Sequence, residues 1–137
     1  MPLFLALIVS LLLGLTAFQP SEVFGAAQEI KKVSPNTANS IIKANRGEKG
    51  FAILDVRTPK EFAAGHIKGA ENMDYYSLSF QMELEKLSKR ATYVIHCRSG
   101  KRSGMTLRIM EAMGFDRVYD IEGGIMAWKA AGLPVEK

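Results

Sequence analysis

The sequence predicts an α/β domain in which a mostly parallel sheet of about five strands has helices on both faces. Short runs rich in valine and isoleucine alternate along the chain with longer segments whose apolar residues recur at helical spacing. The strand expected at 51–56 is apolar at consecutive positions, which is typical of a strand buried on both faces of a sheet. Because helices connect the successive strands, the alternation predicts parallel pairing.

Two helices in the first half of the domain are predicted from their N-terminal residues. Ser34 is a favourable N-cap, and the proline that follows it suits the first helical position. After the strand at 51–56, Thr58 and Glu61 form a capping box, again with proline at the first helical position. We expect this second helix to be short and to end near Gly65.

The second half of the domain continues the alternation of strands and helices. Apolar positions at helical spacing predict the helices, and short β-rich runs predict the strands. Glycine or proline follows each of the last two helices and predicts where it ends. In chain order we expect a strand at 70–73, a helix over 80–87, a strand at 93–95, a helix from Ser103 that Gly114 caps, a strand at 117–121, and a helix over 125–131 that Gly132 and Pro134 end.

An apolar segment near the N-terminus is typical of a signal peptide. The segment Leu3–Leu15 is almost uninterrupted, and small residues follow at Gly25 and Ala27. We expect residues 1–27 to be a signal peptide, cleaved after Ala27 or Gly25, and residues 28–137 to form the domain. Cleavage predicts an exported, periplasmic protein that does not contact the membrane. Because no Lys or Arg precedes the apolar run, an uncleaved membrane anchor is the alternative, although the run is short for a span of about 20 residues.

Composition limits the number of domains and the classes of function. With 137 residues and 47% apolar content, the chain has room for one domain with a buried core once the leader is set aside. The net charge of +4 is modest and no basic stripe is interleaved with aromatic residues, so we expect no nucleic-acid binding. Two histidines and one cysteine are too few for a structural zinc site without carboxylates, so we expect no metal and no other cofactor.

The most informative residues surround the only cysteine, within the stretch TYVIHCRSGKRSG at 92–104. Cys97 follows a buried strand and begins a loop of Gly, Ser and basic residues that we expect to run to Arg102 before a helix begins. Inward-turned loop amides, the positive end of the helix dipole and three cationic side chains all favour a thiolate. We therefore expect a Cys97 pKa below the free value of about 8.5 and a loop that binds anions. A lone cysteine after a buried strand is otherwise usually an inert core residue.

Three separated motifs resemble those of single-domain rhodaneses. They are the loop CRSGKRSG at 97–104, LDVRTPKEFAAGHIKGAENM at 54–73 and YDIEGGIMAWKAAGLPV at 119–135. The resemblance runs from about Ile30 to the C-terminus. It implies the three-layer, rhodanese-like α/β fold and a sulfurtransferase whose loop cysteine becomes a persulfide. Such an enzyme takes a sulfane sulfur from a donor such as thiosulfate and passes it to a thiophilic acceptor such as cyanide or a thiol.

The resemblance and the loop chemistry together name the expected site residues. Cys97 is the expected nucleophile, and by resemblance Asp55 and Arg57 form a structural pair that braces the sheet. His96 is not expected to act as a base for Cys97, because neighbours on a strand point to opposite faces. The residues expected to bind the anionic donor and the persulfide are Arg98, Ser99, Gly100, Lys101, Arg102 and Ser103.

The expected partners are a small anionic sulfur donor and a cyanide or thiol acceptor, with a thiol redox protein as a further candidate. Three other functions stay open. A persulfide carrier fed by a protein partner and a non-catalytic rhodanese-like binding module would both keep this fold. A phosphatase of the related cysteine-loop type would need a longer loop with arginine six residues after the cysteine. This chain has Ser103 at that position, and its Arg102 comes one residue too early.

Overall fold

The computed structural model describes residues 27–137, in which five strands alternate with five helices. The strands are β1 (Glu29–Val33), β2 (Phe51–Asp55), β3 (Ala70–Asn72), β4 (Thr92–His96) and β5 (Arg117–Ile121). The helices are α1 (Pro35–Asn45), α2 (Pro59–Ala63), α3 (Phe80–Lys86), α4 (Lys101–Ala112) and α5 (Gly124–Ala130). The spatial order of the strands is β1-β5-β4-β2-β3, and every pair is parallel. The α/β fold with about five strands is therefore confirmed.

Helices cover both faces of the sheet and complete the three layers. One face carries α1 and α5, and its buried cluster includes Ala38, Ile42, Val94, Ile121 and Trp128. The other face carries α3 and α4, and its buried cluster includes Leu84, Ile95, Cys97, Met110 and Val118. Side chains alternate between the two faces along β4, so the cysteine that follows this strand lies on the α4 face.

The two helix starts predicted from local sequence are confirmed in detail. Ser34 Oγ accepts the Thr37 backbone N–H at 3.1 Å and caps α1. At the start of α2, Thr58 Oγ1 accepts the Glu61 N–H at 3.3 Å, and the Glu61 carboxylate accepts the Thr58 N–H at 2.9 Å. Both partners of this capping box lie within four residues, which is why sequence alone could predict it.

Strand β1 is an element that the sequence patterns did not predict. It pairs along one side with β5, and only Val33 of its five residues is buried. Lys31 and Lys32 are exposed, as is common on an edge strand where charge discourages further pairing. The strand therefore lacks the apolar alternation by which half-buried strands are recognised.

The connections that follow β2, β4 and β5 meet at one edge of the sheet, because the carboxyl ends of parallel strands point the same way. β4 leads into Cys97, β2 ends at Asp55, and β5 leads into the glycines that begin α5. In open α/β sheets this is the edge at which ligands bind. The fold thus brings segments far apart in sequence to the cysteine.

The predicted signal peptide at 1–27 lies outside the described residues except for Ala27. From Ala27 onward, every helix falls short of the length and apolar character that spanning a bilayer requires. Export of the protein stays a prediction.

Candidate active site

The loop that carries Cys97 is shorter than predicted. β4 ends at His96 and α4 begins at Lys101, so the loop has four residues, Cys97 to Gly100, instead of the six expected. Gly100 adopts a φ of 104°, and its carbonyl accepts the Gly104 N–H at 2.9 Å, which closes the first helical turn. The left-handed conformation of Gly100 lets the chain enter the helix directly. Lys101 and Arg102 therefore belong to the first turn of α4.

The Cys97 sulfur is enclosed and receives two hydrogen bonds. The side chain is 1% exposed, and its Sγ accepts from the Gly100 N–H at 3.0 Å and from the Ser103 hydroxyl at 3.4 Å. Burial is the largest single influence and raises the pKa of Cys97, but donors from Ser103, Gly100 and Ser99 together outweigh it. The pKa of Cys97 therefore lies below its ordinary value, as the sequence predicted.

The start of α5 fixes the backbone of the cysteine loop. The Ile125 N–H donates to the Cys97 carbonyl at 2.9 Å, and the Met126 N–H donates to the Arg98 carbonyl at 3.1 Å. A Cβ at Gly124 would lie 2.6 Å from the Cys97 carbonyl oxygen and 2.5 Å from that of Arg98. Only glycine allows this close approach, so Gly124 is a site residue that the sequence reasoning missed. Its signal was the pair of glycines that follows β5.

The three cations of the predicted anion site are not equivalent. Arg98 and Lys101 are exposed and make no ion pair within residues 27–137. Arg102 donates Nη1 and Nη2 to the two carboxylate oxygens of Glu61, each at 2.8 Å. This bidentate pair already engages two nitrogens of the Arg102 guanidinium, and the role of Arg102 in binding the donor stays a prediction. The pair ties the first turn of α4 to α2.

Asp55 and Arg57 form a buried ion pair beside the loop. Arg57 Nη2 lies 2.7 Å from Asp55 Oδ2, Arg57 Nε lies 2.9 Å from Asp55 Oδ1, and the Arg57 backbone N–H donates to the same carboxylate at 3.1 Å. Arg57 Nη2 also donates to the Gly65 carbonyl at 2.7 Å. Both side chains are almost fully buried, and their hydrogen bonds link the end of β2 to the turn after α2.

His96 is buried and directs its ring away from the cysteine sulfur. Its Nδ1 lies 3.1 Å from the Cys97 carbonyl oxygen, and its Nε2 lies 3.5 Å from Asp55 Oδ2. Burial lowers the pKa of His96, while the Asp55 carboxylate acts in the opposite direction. Within residues 27–137, no three side chains of His, Cys, Asp or Glu come together as metal ligands would.

The sequence of this chain matches a known protein family. The rhodanese-like domain family matches residues 38–131. The chain belongs to the rhodanese-like family. The match spans β2 through α5 and includes Cys97, both ion pairs and Gly124.

Similar proteins include a rhodanese-related structure and a sulfurtransferase. An uncharacterized protein of Synechocystis sp. is 32% identical over 105 residues, which cover 77% of this chain and 55% of that protein. Thiosulfate sulfurtransferase GlpE of Ectopseudomonas mendocina is 31% identical over 102 residues, which cover 74% of this chain and 87% of that enzyme. The crystal structure of a rhodanese-related protein of Thermoplasma volcanium has a TM-score of 0.63 at 25% identity and covers 77% of this chain and 97% of that one. This rhodanese-like domain thus has sulfurtransferase homologues.

Proposed function

We propose that the protein is a sulfurtransferase that carries sulfur as a Cys97 persulfide, taking it from thiosulfate or a similar anionic donor. The main support is the Cys97 thiol, whose pKa is lowered and whose Sγ lies 3.0 Å from the Gly100 backbone nitrogen. Arg98 and Lys101 lie beside it and make no ion pair within residues 27–137. A thiolate in such surroundings is a nucleophile. The similarity to a thiosulfate sulfurtransferase supports the choice of donor.

The reaction would proceed in two displacement steps. The Cys97 thiolate attacks the outer sulfur of thiosulfate, a sulfur–sulfur bond forms, and the bond to the sulfonate sulfur breaks so that its electron pair leaves with sulfite. A thiophilic acceptor, cyanide or a thiolate, then attacks the outer sulfur of the persulfide. Thiocyanate or a new persulfide leaves, and the Cys97 thiolate is regenerated.

The residues of the loop and the first turn of α4 would have different roles in the reaction. The amide of Gly100 and the hydroxyl of Ser103 already donate to the Cys97 sulfur and would donate to the persulfide in the same way. Arg98 and Lys101 would attract the doubly negative donor from solvent. Arg102 would act indirectly, because its pair with Glu61 holds the helix that carries Ser103.

Phosphatase chemistry fits this site less well. A phosphate-binding loop needs an arginine directed at the bound anion, whereas here Ser103 faces the sulfur and Arg102 is held by Glu61. The four-residue loop of Cys97 to Gly100 also leaves fewer amides for a phosphate. Both features support sulfur transfer over phosphoryl transfer.

The intact mass of the protein purified after expression of the full sequence, measured before and after thiosulfate, tests the proposal. We expect one added sulfur atom in the wild type and none in Cys97→Ser, because only the thiolate can take the sulfur. No addition to the wild type would contradict the proposal and favour a carrier loaded by a protein or a binding module. The same spectrum shows whether the leader has been removed, and so tests the proposed export to the periplasm.

The same assay separates the roles of the cations. The double variant Arg98→Ala, Lys101→Ala should need roughly tenfold more thiosulfate for half-maximal loading, because the donor loses two attracting charges. Lys43→Ala removes an exposed charge from α1, on the other face of the sheet, and should load like the wild type. Equal donor requirements in the wild type and the double variant would contradict the assignment.

A further inference from the structure

Asp120 lies beside the cysteine on the α4 face of the sheet. It occupies β5 next to Ile95 of β4 on one side and Lys32 of β1 on the other. Residues paired side by side in a sheet share a face, and Cys97 follows Ile95 by two positions. The carboxyl group of Asp120 is therefore directed under the first turn of α4, where Ser103 is fully buried.

The Asp120 carboxyl group is buried without a partner. It is 0% exposed, and neither of its oxygens has a hydrogen-bond partner among residues 27–137. Burial raises the pKa of Asp120 to about 6, against the lowering effects of the Ser103 hydroxyl and of Lys32, while Glu122 raises it further. Buried polar groups are rarely left unpaired, and exceptions often mark a functional group.

The Ser103 hydroxyl contacts the cysteine, and the first turn of α4, which carries Ser103, lies against the Asp120 carboxyl group. Ser103 Oγ donates to Cys97 Sγ at 3.4 Å, and a Cβ on the next residue, Gly104, would lie 4.0 Å from Asp120 Oδ2. A hydroxyl has one hydrogen to donate and two lone pairs with which to accept. While Ser103 donates to the sulfur, only a protonated Asp120 can complete the chain, by donating its own hydrogen to Ser103 Oγ.

We propose that Asp120 is a positioning residue that holds the proton of the Cys97 thiol, relayed through the Ser103 hydroxyl. The S–H bond of Cys97 breaks and its proton passes to Ser103 Oγ. The original hydroxyl proton of Ser103 passes to the Asp120 carboxylate, where an O–H bond forms. One proton moves, the total charge is unchanged, and the Ser103 hydroxyl is restored.

The two acids then share one proton. One form is a thiol with a carboxylate, and the other is a thiolate with a carboxylic acid. Of the charged groups that act on Asp120, Lys32 favours the carboxylate and Glu122 favours the acid. A thiolate at Cys97 would also favour the acid. The inference rests on the proposed use of Cys97 as a nucleophile. A persulfide is also an anion, so the proton would stay on Asp120 through both steps of sulfur transfer.

The pH dependence of Cys97 alkylation by iodoacetamide in the full-length protein tests the inference without any sulfur donor. The alkylation rate follows the thiolate fraction. We expect two steps in the wild-type profile, since coupled acids titrate as a pair. Asp120→Asn should show one step, about one pH unit below the upper wild-type step, because the competing negative charge is gone. Glu122→Gln removes an exposed carboxylate nearby and should keep both steps.

A double-variant cycle tests the route through Ser103. Ser103→Ala should slow alkylation at neutral pH because the thiolate loses a donor. Asp120→Asn changes the alkylation rate by some factor in the wild-type background. That factor should be at least about threefold smaller in the Ser103→Ala background, since contacting residues couple. Equal effects of Asp120→Asn in both backgrounds would overturn the relay.

A measurement on the wild type alone covers the case in which the variants do not fold. The carboxyl carbon resonance of Asp120 in isotope-labelled protein is followed against pH before and after Cys97 is blocked with iodoacetamide. Blocking leaves a neutral thioether, so a two-step carboxyl titration should become a single step. Identical titrations before and after blocking would overturn the inference, whatever the outcome of the sulfur-loading experiment.

Discussion

Two buried carboxyl groups flank the cysteine from neighbouring strands, and they differ in their partners. Asp55 ends β2 and Asp120 lies on β5, the two strands on either side of β4, and both are 0% exposed. Arg57 supplies Asp55 with donors from its side chain and its backbone. Asp120 has no hydrogen-bond partner among the described residues.

The difference in partners suits Asp55 to a structural role and Asp120 to a chemical one. The bonds between the Asp55 carboxylate and the Arg57 guanidinium fix the ends of the surrounding turns. A buried carboxyl group without a partner gains or loses a proton at mild pH, as the raised pKa of Asp120 shows. Asp120 pairs with Ile95 on the α4 face of the sheet, the face on which Ser103 donates to the Cys97 sulfur.

The largest loss of stability is expected when Asp55 loses its partner and becomes, like Asp120, a buried carboxyl group without one. Arg57→Met leaves Asp55 buried without its cation and should lower the free energy of unfolding by about 3–5 kcal/mol, as for other broken buried pairs. Urea denaturation at neutral pH measures the loss. The double variant Asp55→Leu, Arg57→Met removes both charges and should recover more than half of it. Equal stabilities of the single and double variants would show that the loss is not due to an uncompensated charge.

A smaller loss of stability is expected from a substitution at Gly124, which packs against the backbone of the cysteine loop. In Gly124→Ala the new Cβ would meet the carbonyls of Cys97 and Arg98, and φ is +62°. We expect a loss of about 2–4 kcal/mol in stability and at least a tenfold slower sulfur loading, because the loop must move. Gly132→Ala is the matched control, since its φ is +75° and nothing lies within 4 Å. It should cost only about 1 kcal/mol, with unchanged loading. Equal losses in the two variants would attribute the whole effect to backbone strain.

Features set by neighbouring residues could be predicted from the sequence, and features set by the sheet could not. The capping box of Thr58 and Glu61, the strand before Cys97 and the donors of its loop all lie within a few residues of one another. The pairing of Arg102 with Glu61 spans 41 positions, and no local pattern announces it.

The placement of Asp120 shows the same limit. Its position beside Ile95 follows from the register of β4 with β5, which appears only once the strands are paired. In sequence it is one polar residue within a β-rich run. The edge strand β1, with two exposed lysines, gave no apolar pattern at all, yet it places Lys32 next to Asp120.

Breaking the partly exposed pair of Glu61 and Arg102 should cause the smallest loss of stability. The contribution of Glu61 to stability should depend on pH with the opposite sign to that of Asp120. The Arg102 guanidinium is the main reason why the pKa of Glu61 falls from 4.5 to about 2, against the opposing effect of burial. Because this folded-state pKa is depressed, the stabilisation is complete above the ordinary pKa and is lost as the pH falls from about 4.5 towards 2. Glu61→Gln should therefore be about 1 kcal/mol less stable than the wild type at pH 6, a value in keeping with a partly exposed pair.

Urea denaturation across this pH range measures the difference, which should shrink to nothing near pH 2. Glu85→Gln removes an exposed carboxylate from α3 that forms no ion pair within residues 27–137, and it should run parallel to the wild type at every pH. An unpaired buried acid behaves in the reverse manner. The raised pKa of Asp120 makes folding less favourable as the pH rises from 3.8 to about 6, so Asp120→Asn should lose that dependence. If the free energy of unfolding depends on pH in the same way in Glu61→Gln and in the wild type, the Glu61–Arg102 pair does not stabilise the cysteine loop. The comparison of a paired with an unpaired carboxyl group would then depend on Asp55 and Asp120 alone.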